Sequence, residues 1–296
     1  TSPSYKLDVA GFINTDQFSG YKQAGNTILY ASTTNNALAV GASSAAGWMS
    51  ASSTNWASVA LGHGALAATP TNGATVSNTA VGYNALTANT TGPGNTALGY
   101  AALTSNSSGQ YNTGVGWQAL QQNTSGNENS ALGKYSLFAN TTGASNVALG
   151  AFTLFTATTS SNQVAIGYGA LQNMITNAAN DTEGNTALGY RAGNALTYGG
   201  ANILLGYQAG DALTTGSNNL ILGYDIDAPS ATASNQLNIG NILFGLNVNS
   251  TGTTVDTDAL IGIGTSTPWA KLSVTNTGSG PSFVVEDDTS PDSTPF

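Results

Sequence analysis

The stretch Asn95-Thr-Ala-Leu-Gly-Tyr-Ala-Ala-Leu103 returns as Asn112-Thr-Gly-Val-Gly-Trp-Gln-Ala-Leu120 and again as Asn129-Ser-Ala-Leu-Gly-Lys-Tyr-Ser-Leu137. Its central glycine marks the period. Gly82, Gly99, Gly116, Gly133, Gly150 and Gly167 follow one another at steps of 17 residues. After one step of 22, Gly189, Gly206, Gly223 and Gly240 resume the step of 17. Weaker copies at Gly41 and Gly62, with steps of 21 and 20, bring the expected number of coils to twelve. A fixed period of this kind marks a repeat architecture in which each unit buries its apolar surface against its neighbours.

Working outward from the glycine, each column has its own chemistry. The residue before it is always aliphatic, as in Leu98, Val115, Leu132 and Leu149. Two before it the column is mostly small, from Ala39 to Ala187, and then becomes Leu204, Ile221 and Asn238. Adjacent strand residues point to opposite faces, so a strand with two apolar faces is buried on both sides. The larger column is expected to fill the coil and the alanine column to meet another backbone. Four before the glycine stand Asn78, Asn95, Asn112, Asn129 and Asn146, which predict a ladder of amides hydrogen-bonded from rung to rung. One after it comes an aromatic column including Tyr83, Tyr100 and Trp117, interrupted by Lys134 and Ala151. A leucine column follows from Leu66 to Leu171 and slips to Leu196 and Leu213.

A helical repeat runs to about 33 residues or more and would not carry a glycine in every apolar segment. The segments are also bounded by turn clusters such as Asn106-Ser-Ser-Gly109. The chain is therefore read as all-β, a parallel β-solenoid with a 17-residue repeat, two short strands and two turns per coil. At about 4.8 Å per rung, twelve coils make a rod of roughly 55 Å. Residues 1–36 are expected to be an N-terminal connector, 37–245 the repeat domain and 246–296 a C-terminal connector leading into a next fibre unit. Pro3-Ser-Tyr-Lys-Leu-Asp-Val9 and Pro268-Trp-Ala-Lys-Leu-Ser-Val274 share a phrase at an offset of 265, as expected of an excerpt from a longer fibre.

Composition narrows the function. Of 296 residues only 6% are charged, five are Lys or Arg, one is His and none is Cys. Five cations cannot neutralise a run of phosphates, so nucleic-acid binding is excluded. Thiol catalysis, cysteine-ligated zinc and disulfides are excluded as well. No stretch reaches the ~18 apolar residues of a membrane-spanning helix. A hydrophobic content of 40% is too high for a disordered tail.

The column pattern, clearest in Asn146-Val-Ala-Leu-Gly150 and Gln163-Val-Ala-Ile-Gly167, resembles the left-handed parallel β-roll heads of YadA-like trimeric autotransporter adhesins. Asn235-Gln-Leu-Asn-Ile-Gly240 and Gly262-Ile-Gly-Thr-Ser-Thr-Pro-Trp-Ala-Lys-Leu-Ser-Val274 are similar to connectors of phage tail fibres and large bacterial surface proteins. The resemblance implies a homotrimer of three rolls about one axis, and the alanine column is expected to supply the contact.

Chemistry-bearing residues are sparse. His63 stands where other coils place tyrosine and is expected to fill that column. No Gly-x-Ser-x-Gly elbow accompanies it. The pairs Asp225 with Asp227 and Asp256 with Asp258 read as solvated turns, with weak calcium binding as their functional alternative. Asn89, Asn106, Asn123 and Asn140 each open an Asn-x-Ser/Thr sequon; they are read as turn formers, against the alternative of a glycan stripe. The aromatic column is expected to pack between coils or protomers, with carbohydrate stacking as the alternative. Breaks in the period fall between Gly41 and Gly82 and near Gln172 to Glu183, and loops carry recognition. Trp48, Trp56, Asn173, Met174 and Asp181 are the adhesion candidates.

These readings converge on a structural and adhesive segment of an extracellular trimeric fibre, either a cell-surface appendage or a virion tail fibre. It is expected to be no enzyme and to need no cofactor or metal. Its expected partners are copies of itself, adjoining fibre units and a cell-surface glycan or protein receptor, without nucleic acid or membrane insertion. The alternative is a polysaccharide-binding or depolymerising solenoid.

Overall fold

The computed structural model describes residues 21–23, 26–32, 37–41, 43–44, 58–68, 77–175, 183–248 and 257–275. Among them there are only strands and turns. Strands β1 (Tyr21–Gln23), β2 (Asn26–Ser32) and β3 (Ala37–Val40) lead into a series of three-residue strands. These are β4 (Val59–Leu61), β5 (Thr79–Val81), β6 (Thr96–Leu98), β7 (Thr113–Val115), β8 (Ser130–Leu132) and β9 (Val147–Leu149). They continue as β10 (Val164–Ile166), β11 (Thr186–Leu188), β12 (Ile203–Leu205), β13 (Leu220–Leu222) and β14 (Leu237–Ile239). Strands β15 (Leu243–Leu246), β16 (Leu260–Ile263) and β17 (Leu272–Val274) close the described chain.

From β3 to β14 every strand pairs in parallel with its sequence neighbour, in the register of the sequence columns: Ala80 opposite Ala97, then Gly114, Ala131, Ala148 and Ala165. The result is a parallel β-solenoid of about ten turns at a spacing of about 17 residues. The expected count of twelve coils rests partly on turns containing residues 45–57, 69–76 and 176–182, outside the described residues. Antiparallel strands flank both ends of the stack, β2 on β3 and β15 on β14.

Two sequence expectations are corrected. Each coil has one short strand, not two. The rest is a chain of turns whose backbone repeatedly enters the left-handed region, at columns such as Ala101, Gln118 and Tyr135 and again at Leu103, Leu120 and Leu137, with φ between 50° and 57°. Rung-to-rung hydrogen bonding nevertheless continues through these turns: Leu103 N–H donates to Ala119 O and Gln118 N–H to Tyr100 O. These left-handed residues turn the chain without breaking that ladder. Leucine has no preference for this conformation, so the sequence carried no sign of it.

The second correction concerns the strand faces. The alanine column points into the coil: Ala80, Ala97, Ala148, Ala165 and Ala187 are fully buried. The large aliphatic column points out, with Leu98 46% and Leu132 52% exposed. Leu149 faces the same way and is half-buried. A 17-residue coil encloses a narrow interior that the leucines of the left-handed column, from Leu66 to Leu171, already fill; each is fully buried. Only alanine or glycine stands opposite them, as Ala97, Gly114 and Ala131 do.

The glycine column has a steric cause. A Cβ on Gly99, Gly116 or Gly133 would lie within 3.0 Å of the backbone of the next rung's glycine. Their φ values of 134° to 140° are also strained for any side chain. Alanine is thus admitted one face away and excluded here.

Candidate functional site

The amide column at Asn78, Asn95, Asn112, Asn129 and Asn146 forms the expected ladder. The backbone N–H of Asn95 donates to Asn78 Oδ1 (2.7 Å) and that of Asn112 to Asn95 Oδ1 (2.9 Å). Asn146 donates Nδ2–H to Asn129 Oδ1 (2.9 Å). The same pattern runs on through Gln163, Asn185, Asn202, Asn219 and Gln236. All of these amides are buried.

A second ladder lies beside it, at Asn89, Asn106, Asn123 and Asn140, the sequon asparagines spaced 17 residues apart. Asn106 donates Nδ2–H to Asn89 Oδ1 (2.9 Å), Asn123 to Asn106 (2.7 Å) and Asn140 to Asn123 (2.7 Å). Each also donates to the carbonyl three residues on, as Asn106 does to Gly109 O (3.0 Å). Asn95, from the first ladder, donates to that same Gly109 O (2.8 Å). Two amide ladders therefore share one row of glycine carbonyls. All four of these side chains are fully buried, so a glycan on any of them requires unfolding. The sequence showed these asparagines as turn formers; their role as an internal ladder was missed, although their 17-residue spacing was its signal.

Outside the coil, the aromatic column forms two stacks. His63, Tyr83, Tyr100 and Trp117 lie face to face with centroid spacings of 5.3, 5.3 and 4.2 Å. Tyr168, Tyr190, Tyr207 and Tyr224 repeat the arrangement at 5.5, 5.2 and 4.9 Å. Along each stack the faces cover one another and the edges meet solvent. A sugar that must lie on a ring face therefore has only the stack ends to use. At the break, Lys134 turns its ammonium over Tyr135 (5.1 Å) and Phe152 (5.8 Å). Tyr135, Phe138, Phe152 and Phe155 form a half-buried cluster there, with Phe138 and Phe155 stacked at 5.2 Å. The corresponding positions of the next coils downstream are Gly169, Arg191, Gln172 and Asn194, so this cluster is local to two coils.

Of the loop candidates, Trp48, Trp56 and Asp181 lie outside the described residues. Asn173 is exposed. Met174 is fully buried, where Asn185 Nδ2 approaches its sulfur at 3.9 Å. It continues the column of Asn89 to Asn140 into the core and cannot meet a receptor. Near that loop, Glu183, Gly200, Ala201, Ser217 and Asn218 line a shallow groove.

Among the carboxylates, Asp256 lies outside the described residues, and no group of three or more His, Cys, Asp or Glu able to hold a metal occurs among the described ones. Asp225 is exposed. Asp227 Oδ1 accepts the Ala212 N–H (2.9 Å). Burial raises the Asp227 pKa above the usual carboxylate value; the Ala212 hydrogen bond opposes this, and the charges of Asp211 and Asp225 add to it. These are the features of a crowded turn of three carboxylates.

What the geometry offers is thus a solenoid with a buried polar seam and with aliphatic and aromatic columns on its exterior. Compared with protein-family models, curated proteins and solved structures, the chain matches none.

Proposed function

We propose that this chain is a non-enzymatic segment of an extracellular fibre, a homotrimer acting as a stiff stalk or head for attachment, on a bacterial surface or in a phage tail fibre. One observation carries the reading: a continuous rod whose strand face turns aliphatic side chains outward. Leu98, Leu132, Leu188 and Leu222 are each 40% or more exposed and lie in one column of the rungs, and Ile203 faces the same way from the neighbouring column. An apolar strip of this length on a chain of net charge −9 calls for cover. Copies of the same rod, packed strip to strip about a common axis, supply it. This assigns the trimer contact to the outward aliphatic column; the alanine column, being internal, has no part in it. The β-roll resemblance supports the same assembly and adds a left-handed coil, and the repeat glycines from Gly41 to Gly240 support twelve coils in the whole repeat. The receptor is then met by the loops or the aromatic surface left outside.

Sedimentation equilibrium tests the assembly. The reading predicts a mass three times the 29.6 kDa of one chain. It also predicts that Leu132→Glu with Leu188→Glu releases single chains that remain folded. A single-chain mass for the unaltered protein at micromolar concentration contradicts it.

A further inference from the structure

The second amide ladder stops within the rod. Above Asn140 the next rung carries Ala157, and the glycine row Gly92, Gly109, Gly126 and Gly143 continues as Ser160. Two buried polar atoms are left without a hydrogen-bond partner at this point, Asn140 Oδ1 and Ser160 Oγ. Asn140 is fully buried and Ser160 is 2% exposed.

The two exchanges belong together. A Cβ placed on Gly143 would collide with Asn140 Oδ1 of its own rung and with Ser160 O of the next. By the same geometry one rung up, a Cβ at 160 is compatible with alanine at 157 and not with asparagine. Replacing asparagine by alanine removes three heavy atoms, and replacing glycine by serine returns two. The exchange is one heavy atom short.

The missing group can be specified from the rungs below. There the Nδ2 group uses its two hydrogens on the Oδ1 beneath it and on the carbonyl three residues on, as in Asn123 to Asn106 and to Gly126. The equivalent acceptors here are Asn140 Oδ1 and Ser160 O. We propose that the rung of Ala157 and Ser160 is an internal binding site for one water molecule. Its two O–H groups replace the two N–H groups of the missing amide, and its oxygen accepts the Ser160 hydroxyl. Three partners, two of them otherwise orphaned, is the ordinary coordination of a buried structural water. The water ends the polar ladder so that the apolar rungs of Met174, Leu196 and Leu213 can begin, all three fully buried.

A high-resolution crystal structure of the intact chain tests this. One ordered water within about 2.7–3.2 Å of both Asn140 Oδ1 and Ser160 Oγ is expected. A direct bond between these two atoms, or no density between them, overturns the proposal. Ala157→Asn with Ser160→Gly should extend the ladder, remove that water and unfold at a temperature equal to or above the parent. Ala157→Asn alone should unfold below the double variant, because its amide meets the Ser160 Cβ. A double variant less stable than the parent overturns the proposal.

Discussion

The rungs around Gly99 to Gly150 and those around Gly189 to Gly223 share a backbone and a period but fill the interior differently. In the first region the strand centres are Ala97, Gly114, Ala131 and Ala148, facing the left-handed leucines Leu103, Leu120, Leu137 and Leu154. In the second, the left-handed position is taken by Gly193 and Gly210, with φ of 61° and 64°. The strand centre of the first of these rungs is still Ala187, and the next two become Leu204 and Ile221. The compensation is direct, since a Cβ on either Gly193 or Gly210 would meet a methyl of Leu204 within 3.0 Å. The sequence shift from Leu171 to Leu196 is therefore no slip of register. Bulk has moved from one inner column to others, and Leu196 and Leu213 stand in the column that holds Asn89 to Asn140 below. What the repeat preserves is enclosed volume and a satisfied backbone; the residue supplying either one varies. The second region also avoids holding leucine in a left-handed conformation, a strain of order 1–3 kcal/mol per residue.

The comparison can be broken most severely at what the two regions share. Gly116→Ala and Gly206→Ala each drive a methyl into the next rung's backbone at a φ of 134° or 136°. Both should cost more than about 4 kcal/mol or abolish folding, read by circular dichroism and thermal melting. If one region tolerated the change, the shared-backbone view would fail there.

The exchange of bulk is tested by a double-mutant cycle. Leu204→Ala should cost about 2–5 kcal/mol through the cavity it leaves. Gly210→Leu alone should also destabilise, by collision with Leu204. Combined, the two rebuild the first region's packing and should recover most of the loss, a coupling of about 1–3 kcal/mol in denaturant unfolding. Additive losses would show that Leu204 and position 210 do not share the same space.

A smaller effect distinguishes the polar ladder of the first region. Asn123→Ala leaves Asn106 Oδ1 without its donor and should cost about 1–3 kcal/mol. The same measurement with Asn123→Asp should give a larger loss, because an uncompensated charge would be buried in the seam.

The smallest expected effect lies at the turn of the second region. Burial, with Asp211 and Asp225 nearby, holds the Asp227 pKa above the ordinary value of 3.8, so the folded state binds this proton more tightly than the unfolded state. Stability from this group is present at low pH and lost as pH rises through the folded pKa. Asp227→Asn, which keeps an oxygen for the Ala212 N–H, should therefore melt slightly higher than the parent at pH 7. The difference should close as pH falls toward 3.8. A variant that melts lower at pH 7 would refute the sign.

The period, the register and the amide ladder were legible because each is a one-column property: Asn95, Asn112 and Asn129 repeat at a fixed offset and pair at that offset. The single strand per coil was not, because leucine at Leu103 or Leu120 gives no hint of a positive φ. Strand orientation was misread for a related reason. Alternation shows that Ala131 and Leu132 face opposite ways, but not which way is in. That depends on how much room the coil leaves, and the leucines competing for it sit six residues along the chain, at Leu137. Of the candidate surface, the aromatic column was visible in sequence, while the cluster of Tyr135, Phe138, Phe152 and Phe155 was not, since it spans two columns that carry no aromatic residue in the next coils.

The central claim is that the small column lies inside the coil and the large one outside. Equilibrium denaturation of Ala131→Leu tests it most directly. Ala131 is 1% exposed, and its neighbours leave no room for three more carbons. The account predicts a midpoint lowered by the equivalent of about 1–3 kcal/mol. An unchanged or raised midpoint would place Ala131 on an open face and contradict it.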